Sequence, residues 1–125
     1  MRLLVDSEPL LEWLAGAEWM SPNATAAMSF PENQVAISAA TVWEIERWRA
    51  EGRVEVPDEW LDHVAEPEFR TLAVTAEHAA LAGALARVGG DDVDRVIVAQ
   101  AQLEGFAVVT RDPVFARFQV PTLPV

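Results

Sequence analysis

The sequence contains no cysteine among its 125 residues, and this absence removes several classes of protein. Without thiols a chain forms no disulfide bond, no zinc–thiolate site and no cysteine nucleophile. It also has only two histidines, so a histidine-rich metal site is not expected. Any metal ion is therefore expected to be held by oxygen ligands.

Lysine is absent too, because all nine basic residues are arginine. This excludes chemistry that needs a lysine ammonium, such as the phosphate-binding lysine of a P-loop or a Schiff base. No apolar run approaches the roughly 18 residues that a membrane span requires. The apolar start at residues 3–5 is interrupted by Asp6, too soon for a signal sequence. We expect a cytoplasmic protein without a membrane partner.

The composition supports one folded domain with a strongly acidic surface. Hydrophobic residues make up 51% of the chain, enough for one core, and we expect a single domain over residues 1–125. The net charge of -11 argues against nucleic-acid binding, which depends on basic residues that neutralise phosphates. That objection weakens if some of the acids hold a divalent cation, whose charge attracts phosphate oxygens.

Short apolar runs alternate with helical patterns along the chain. The runs occupy residues 2–5, 35–38, 71–74 and 107–110. Capping residues and apolar periodicity predict helices over residues 9–15, 22–30, 39–51, 58–65 and 76–88. Asp91 is the predicted cap of a further helix that runs to Glu104, and Ser38 is the predicted cap of the helix at 39–51. This alternation predicts an α/β domain with a central parallel sheet of four or five short strands flanked by helices.

Two aspartates directly follow predicted strands. Asp6 comes after the first strand and Asp112 comes just past the strand at residues 107–110. Open parallel sheets place their ligand crevices at the carboxyl ends of the strands, so both acids are candidates for one site. For Asp112 the alternative is an ordinary turn aspartate before Pro113.

Glu44 lies about two turns inside the helix that follows the second strand, flanked by Val42, Trp43 and Ile45. A carboxylate with such neighbours needs a partner, which is either a metal ion or a cation of the protein. The candidate ion-pair partners are Arg47, Arg49 and Arg95.

Asp94 lies in the first turn of the most apolar helix, one turn from Asp91. Its backbone is anchored in what the pattern predicts to be core, so its carboxylate is a candidate for binding a cation. Asp91 and Asp92 are better explained by interaction with the helix dipole, although Asp91 remains a possible ligand.

Together these acids form a set of hard oxygen donors that fits Mg²⁺, with Mn²⁺ as an alternative. The chemistry that such a site favours is phosphodiester hydrolysis by metal-activated water, which needs no nucleophilic side chain.

Four segments resemble the PIN-domain toxins of the VapBC toxin–antitoxin family, and the likeness covers nearly the whole chain. They are Leu-Leu-Val-Asp-Ser at 3–7, Ser-Ala-Ala-Thr-Val-Trp-Glu-Ile-Glu at 38–46, Asp-Asp-Val-Asp-Arg at 91–95 and Val-Val-Thr-Arg-Asp at 108–112. The resemblance implies that Asp6, Glu44, Asp94 and Asp112 are the catalytic, metal-binding acids. It also implies a metal-dependent endoribonuclease, a homodimer, and a small antitoxin whose C-terminal segment blocks the acidic groove.

The chain departs from the family pattern at three places: Glu8 replaces a frequent histidine, residues 88–90 replace a usual histidine-containing stretch, and Asp92 replaces a customary proline. A haloacid-dehalogenase phosphatase is excluded, because it needs an Asp-x-Asp start and a lysine. A response-regulator receiver is disfavoured by the missing lysine. The open alternatives are a catalytically silent PIN-like protein-binding module and a metal-dependent nuclease acting on DNA.

Other side chains receive weaker assignments. Arg111, beside Asp112, is the best candidate for binding a substrate phosphate, although arginine is equally a partner for the twenty acidic residues. The histidines at positions 63 and 78 are expected to be ordinary surface or packing residues. Packing in the core or in a partner groove is preferred over base stacking for Trp13, Trp43, Trp48 and Trp60.

Overall fold

The strands of the molecule form one parallel sheet. We describe a computed structural model, in which residues 1–64 and 69–125 are described. The strands in that part of the chain are β1 (Arg2–Val5), β2 (Gln34–Ser38), β3 (Arg70–Leu72), β4 (Ala107–Thr110) and β5 (Thr122–Pro124). The helices are α1 (Ser7–Leu14), α2 (Pro22–Ser29), α3 (Ala39–Ala50), α4 (Trp60–Val64), α5 (Ala76–Ala84), α6 (Asp92–Glu104) and α7 (Val114–Arg117). The predicted α/β architecture is confirmed.

The order of the strands in the sheet is β3-β2-β1-β4-β5, and every neighbouring pair is parallel. The chain therefore moves outward from β1 to β3 and then returns to continue on the other side of β1. Leu4 of β1 lies between Ala36 of β2 and Val108 of β4. The reversal between β1 and β4 is a topological switch point, where open α/β sheets form their ligand crevices.

Side chains of the central strands alternate between two apolar cores. Leu3 and Val5 pack on one face of the sheet with Leu10 of α1, while Leu4 packs on the opposite face with Ile97 of α6. Successive strand residues point to opposite faces, so a strand that is apolar throughout must be covered on both sides. None of the helices in the described ranges is both long and apolar enough to cross a bilayer.

The helices that reach the site begin at residues whose side chains cap them. Asp6 caps α1, Ser38 caps α3 and Asp91 caps α6, each accepting a hydrogen bond from a backbone N–H of the first turn. Such bonds satisfy donors that have no partner within the helix. The predicted caps at Ser38 and Asp91 are confirmed, and Asp6 therefore has a structural role as well as its strand-end position.

Several predicted boundaries differ from the structure. The helix predicted to run to residue 88 ends at Ala84, because Leu85 is extended and Arg95 donates hydrogen bonds to the carbonyls of Leu85 and Ala86. The strand predicted at residues 71–74 is Arg70–Leu72, and the helix predicted at 58–65 is Trp60–Val64, with residue 65 outside the described ranges. Neither α7 nor β5 was individually predicted.

Substitution of two glycines, one at the end of a helix and one inside a helix, tests whether Gly105 ends α6. Gly105 ends α6 with φ +74°, whereas Gly83 lies inside α5 with open space around its Cα. We expect Gly105→Ala to lower the free energy of unfolding by about 1 kcal/mol, because alanine resists the left-handed conformation. Gly83→Ala is expected to raise it by about 0.5–1 kcal/mol. Urea denaturation of both variants measures the difference, and equal effects would contradict the assignment of Gly105 as the helix stop.

Candidate active site

Acidic residues from four separate segments line one pocket of about 170 Å³. The pocket lies where β1 and β4 end and where α1 and α6 begin. The residues that line it are Asp6, Ser7, Glu8, Glu44, Trp48, Asp91, Asp94 and Asp112. The four acids predicted from the sequence, and the less certain Asp91, are thus brought together.

Asp6 is buried at the end of β1, with 9% of its surface exposed. Its Oδ1 accepts a hydrogen bond from the Ser7 N–H at 2.9 Å, and its Oδ2 accepts one from the Thr110 hydroxyl at 2.8 Å. Burial raises the pKa of Asp6, and the charges of Asp112 and Glu8 raise it further, while the two hydrogen bonds oppose the shift. The carboxylate is therefore oriented by donors but lacks a full counter-charge.

Glu44 projects from α3 into the same pocket and is 4% exposed. Its Oε1 accepts a hydrogen bond from the Ser7 hydroxyl at 2.6 Å, and its Oε2 lies 3.7 Å from the Arg47 guanidinium. Burial raises the pKa of Glu44, and the Ser7 hydrogen bond counteracts it. Among the three arginines considered as partners, Arg47 is thus the one in contact. Its side chain is 40% exposed, so solvent weakens the ion pair.

Asp94 and Asp91 form a reciprocal cap at the start of α6. The Asp94 N–H donates to Asp91 Oδ1 at 2.8 Å, and the Asp91 N–H donates to Asp94 Oδ2 at 3.0 Å. Burial, followed by the negative charges of Asp91, Asp6 and Asp112, raises the pKa of Asp94 to about 7. At neutral pH a carboxyl group with this pKa readily exchanges its proton for a cation.

Thr110 connects the two aspartates that follow the neighbouring strands. Its hydroxyl donates to Asp6 Oδ2 and accepts a hydrogen bond from the Asp112 N–H at 3.0 Å. Asp112 also accepts a hydrogen bond at Oδ1 from the Val114 N–H at 2.9 Å. The turn role considered for Asp112 is therefore present, together with its position in the pocket.

The donor set of the pocket fits a hard divalent cation. Carboxylate oxygens are the ligands that Mg²⁺ and Mn²⁺ prefer. The pKa values of Asp6, Glu44 and Asp94 are raised first by burial and then by the charges of neighbouring acids, so a cation would relieve both effects. Within residues 1–64 and 69–125, no three acidic or histidine side chains already stand close enough together to hold one ion. The acids line the wall of the pocket around open space instead. The pocket therefore fits a divalent cation in the chemistry of its donor atoms and in its negative charge.

Arg111, predicted to bind a substrate phosphate, is engaged elsewhere in the structure. Its guanidinium forms an ion pair with Glu12 and donates a hydrogen bond to the carbonyl of Trp19 at 3.1 Å. A phosphate would have to compete with these partners. The phosphate-binding role of Arg111 stays a prediction.

The sequence analysis assigned no role to Ser7 or Thr110, and it expected Trp48 to be a packing residue, not part of the site. Both hydroxyls donate to buried carboxylates, and Trp48 lies in the wall of the pocket one helical turn after Glu44. Their signal is weak, because Ser and Thr beside an acid are common and the bonds depend on tertiary contact. The four-residue spacing of Glu44 and Trp48 was the one available clue.

The other residues considered for function lie in several environments. Trp60 is fully buried and Trp13 packs at 5.6 Å from the Phe69 ring, as expected for core residues, whereas Trp43 is 56% exposed. His78 is 2% exposed, and its Nδ1 accepts a hydrogen bond from the Thr75 N–H in the cap of α5. The prediction of a packing role for His78 is confirmed.

The fold of the chain has counterparts among known proteins. The family model of the PIN domain matches residues 3–121, so the chain belongs to the PIN-domain family. The ribonuclease VapC22 of Mycobacterium tuberculosis is 33% identical to it over 115 residues, which are 88% of this chain and 86% of that protein. The resemblance to VapBC toxins seen in the sequence is thereby confirmed.

Solved structures agree on the fold. VapBC2 from Rickettsia felis, bound to a DNA fragment from its promoter, matches with a TM-score of 0.71 and 14% identity over 99% of this chain and 98% of that chain. A toxin–antitoxin complex from Klebsiella pneumoniae matches with a TM-score of 0.63 and 23% identity over 89% and 87%. At these identities the likeness is one of fold.

Proposed function

We propose that this protein is a metal-dependent endoribonuclease and the toxin of a toxin–antitoxin pair. The observation that carries the proposal is the convergence of six acidic side chains from distant segments on one small pocket at the switch point of a parallel sheet. The similarity to a ribonuclease of the VapC type supports RNA as the substrate.

Asp6, Glu44 and Asp94 are the proposed principal ligands of Mg²⁺ or Mn²⁺, because each is held in the pocket with a raised pKa. Asp112 is proposed to assist, as a further ligand or through the Thr110 hydroxyl that it shares with Asp6. Asp91 lines the same pocket but also caps α6, so its proposed role is secondary.

A divalent cation held by Asp6, Glu44 and Asp94 would supply Lewis acidity to the phosphate oxygens and to a water molecule. The protein itself orients the carboxylates that would hold the ion. Ser7 and Thr110 donate to Glu44 and Asp6 and so limit the rotation of both carboxylates. Asp94, with a pKa of about 7, releases its proton from the carboxyl oxygen when positive charge enters the pocket.

The proposed partners follow from the same site. A small antitoxin with a positively charged segment would complement the acidic pocket, and two structural relatives are complexes described as VapBC or toxin–antitoxin assemblies. We include a homodimer and a location in the cytoplasm in the proposal. An upstream open reading frame whose co-expression restores growth of cells producing this protein would support the antitoxin.

The proposed activity is tested with purified full-length protein and total RNA. We expect cleavage with Mg²⁺ or Mn²⁺ and none with excess EDTA. Single-stranded DNA of matched length is the comparison substrate, and faster cleavage of DNA would favour the DNA-nuclease alternative. If both substrates stay intact with either ion, the protein acts as a binding module and the nuclease proposal is wrong.

Thr110→Val tests the orientation of the acids. The substitution keeps the shape of the side chain but removes the donor to Asp6 and the acceptor for the Asp112 N–H. We expect the Mg²⁺ concentration for half-maximal cleavage to rise about 10- to 100-fold, as for other residues that hold metal ligands. Thr110→Ser, which retains the hydroxyl, is expected to behave like the wild type. An unchanged Mg²⁺ midpoint in Thr110→Val would show that this hydroxyl does not orient the ligands.

A further inference from the structure

Two tryptophan–arginine pairs lie beside the acidic pocket, one on helix α3 and one formed between α3 and Arg53 of the turn that follows it. The Arg47 guanidinium carbon lies 4.7 Å from the ring centroid of Trp43, and that of Arg53 lies 5.3 Å from the ring centroid of Trp48. Trp43 is 56% exposed, and Trp48 is half-buried in the wall of the pocket. Large aromatic rings that remain accessible next to a candidate active site are candidates for substrate contact.

The spacing of these residues joins both pairs to the carboxylates. Glu44 and Trp48 are four residues apart and therefore lie on one face of α3, where both line the pocket. Trp43 and Arg47 have the same spacing and occupy the adjacent face. Arg47 connects the two faces, because its guanidinium contacts both the Trp43 ring and the Glu44 carboxylate.

The charges of these arginines matter in a protein of net charge -11. Arg53 has Glu51 as an ionic partner at 3.6 Å, and both side chains are largely exposed, so this pair holds the guanidinium weakly. Arg47 is restrained chiefly by its contacts to Trp43 and Glu44. Both arginine side chains are partly exposed, so a phosphate that replaces these contacts would leave a ring face open.

Base stacking requires an unpaired base, because in a duplex both faces of each base are covered by its neighbours. Stacking on aromatic side chains is a common means of holding single-stranded nucleic acid, and arginine adds cation–π and phosphate contacts. A duplex presents its backbone and the edges of its bases to these rings, but no base face except at its ends. The rings of Trp43 and Trp48 therefore favour single-stranded RNA over duplex RNA.

We infer that Trp48 and Trp43 are stacking surfaces for two unpaired bases of single-stranded RNA next to the phosphate in the acidic pocket, with Arg47 and Arg53 on the adjoining phosphates. This inference rests on the proposed function, since it takes RNA as the substrate. It adds the side chains that would hold that substrate beside the acidic pocket. Neither tryptophan was assigned to RNA by the sequence.

The test measures RNA binding separately from cleavage. The full-length protein carries Asp94→Asn in every sample, with Mg²⁺ present, and fluorescence anisotropy follows a labelled single-stranded RNA of about twelve nucleotides. We expect Trp48→Leu to weaken binding about 10-fold or more and Trp43→Leu about 5-fold, the loss typical of one stacked base. Trp48→Phe keeps a ring and is expected to bind within about threefold of the parent.

Two controls separate stacking from other causes. Phe30→Leu removes another exposed aromatic ring, one that lines a different pocket, and is expected to leave the affinity unchanged. The same RNA annealed to its complement is expected to bind more weakly than the single strand and to be insensitive to Trp48→Leu. Because Trp43 is exposed, Trp43→Leu reports on binding even if Trp48→Leu disturbs folding.

Distinct outcomes bear on the inference and on the proposed activity. If wild-type protein cleaves RNA but Trp43→Leu and Trp48→Leu bind it as tightly as the parent, the inference is wrong and the activity stands. If wild-type protein cleaves nothing but single-stranded RNA binding depends on both rings, the activity is wrong and the inference stands. Equal affinity for duplex RNA would overturn the single-strand preference. A change from dimer to monomer with unchanged RNA affinity would assign the surface to a protein interface and overturn the inference.

Discussion

Asp94→Asn is expected to lower the rate of RNA cleavage about 10³-fold or more at saturating Mg²⁺. Stabilisation of transition-state charge by a bound cation is worth several kcal/mol, and each 1.36 kcal/mol changes a rate tenfold. Asparagine keeps the size of the side chain, and its amide oxygen can still accept the Asp91 N–H that begins α6. The variant therefore removes the charge of a proposed ligand and preserves the helix start.

Asp92→Asn is the matched control for this experiment. Asp92 lies in the same turn of α6 but does not line the pocket. Its substitution by asparagine removes the same charge as Asp94→Asn. We expect its cleavage rate to stay within about threefold of the wild type, since exposed surface charges act weakly at a distance. Rates are measured on a defined single-stranded RNA with a quenched fluorophore. Equal losses in Asp92→Asn and Asp94→Asn would mean that general charge, not a ligand position, governs activity.

The second large effect is a pH-dependent stability that Asp94 imposes on the metal-free protein. Its pKa rises from 3.8 to about 7 on folding, because burial and neighbouring carboxylates disfavour its charged form. Between these values the folded protein retains a proton that the unfolded chain has released. The free energy of unfolding is therefore expected to fall as the pH rises through this window, and the raised pKa values of Asp6 and Glu44 act in the same direction.

The expected size is on the order of 2 kcal/mol for Asp94, after allowing for solvent screening of a half-buried carboxyl group. For a chain of this length, this corresponds to a decrease of about 5–10 °C in Tm between pH 5 and pH 8 in EDTA. Asp94→Asn is expected to flatten the decrease, because asparagine does not titrate, whereas Asp92→Asn is expected to retain it. Scanning calorimetry at several pH values measures the three profiles.

Adding Mg²⁺ gives an independent check of the same electrostatics. At pH 8 and at about 100 times its dissociation constant, a ligand that binds only the folded state raises the free energy of unfolding by about 2.7 kcal/mol. We expect this gain in the wild type and a much smaller one in Asp94→Asn. A wild-type Tm that does not respond to Mg²⁺ at pH 8 would contradict the convergence of the acids on a cation site.

Much of the site could be predicted because three of its four main acids, all except Glu44, lie at strand or helix ends. Asp6 and Asp112 follow strands whose apolar runs are visible in the sequence, and Asp94 follows a recognisable cap at Asp91. Local rules apply at these positions, because capping and strand length depend on neighbours in the chain. The predicted helices at α3 and α6 consequently match the structure to within a residue or two at each end.

The elements that escaped prediction are short or stabilised from a distance. Strand β5 has three residues, including Pro124, and lies at the sheet edge, where proline is tolerated. Helix α7 is a single turn of four residues. Helix α5 ends early because Arg95, from another helix, binds the carbonyls that follow it. Such features have too few residues for a periodic pattern, or they depend on contacts that the local sequence does not contain.

The sequence by itself determined the chemistry available to this protein. Without cysteine or lysine, and with twenty acidic residues, it restricts a metal site to oxygen donors. It also encodes where α3 and α6 begin, through Ser38 and Asp91, and where α6 ends, through Gly105. These properties depend on residue type and on contacts within a few positions, so they can be predicted without the fold.

Only the tertiary structure decided how the acids act on one another. The placement of β4 beside β1 brings the Thr110 hydroxyl to Asp6, 104 positions earlier in the chain. The same placement brings the charges of Asp6 and Asp112 near enough to Asp94 to raise its pKa. Strand order follows from the packing that covers both apolar faces of the sheet, and Coulomb interactions depend on distance in space. Neither the strand order nor the distances between these charges can be derived from a local segment of the sequence.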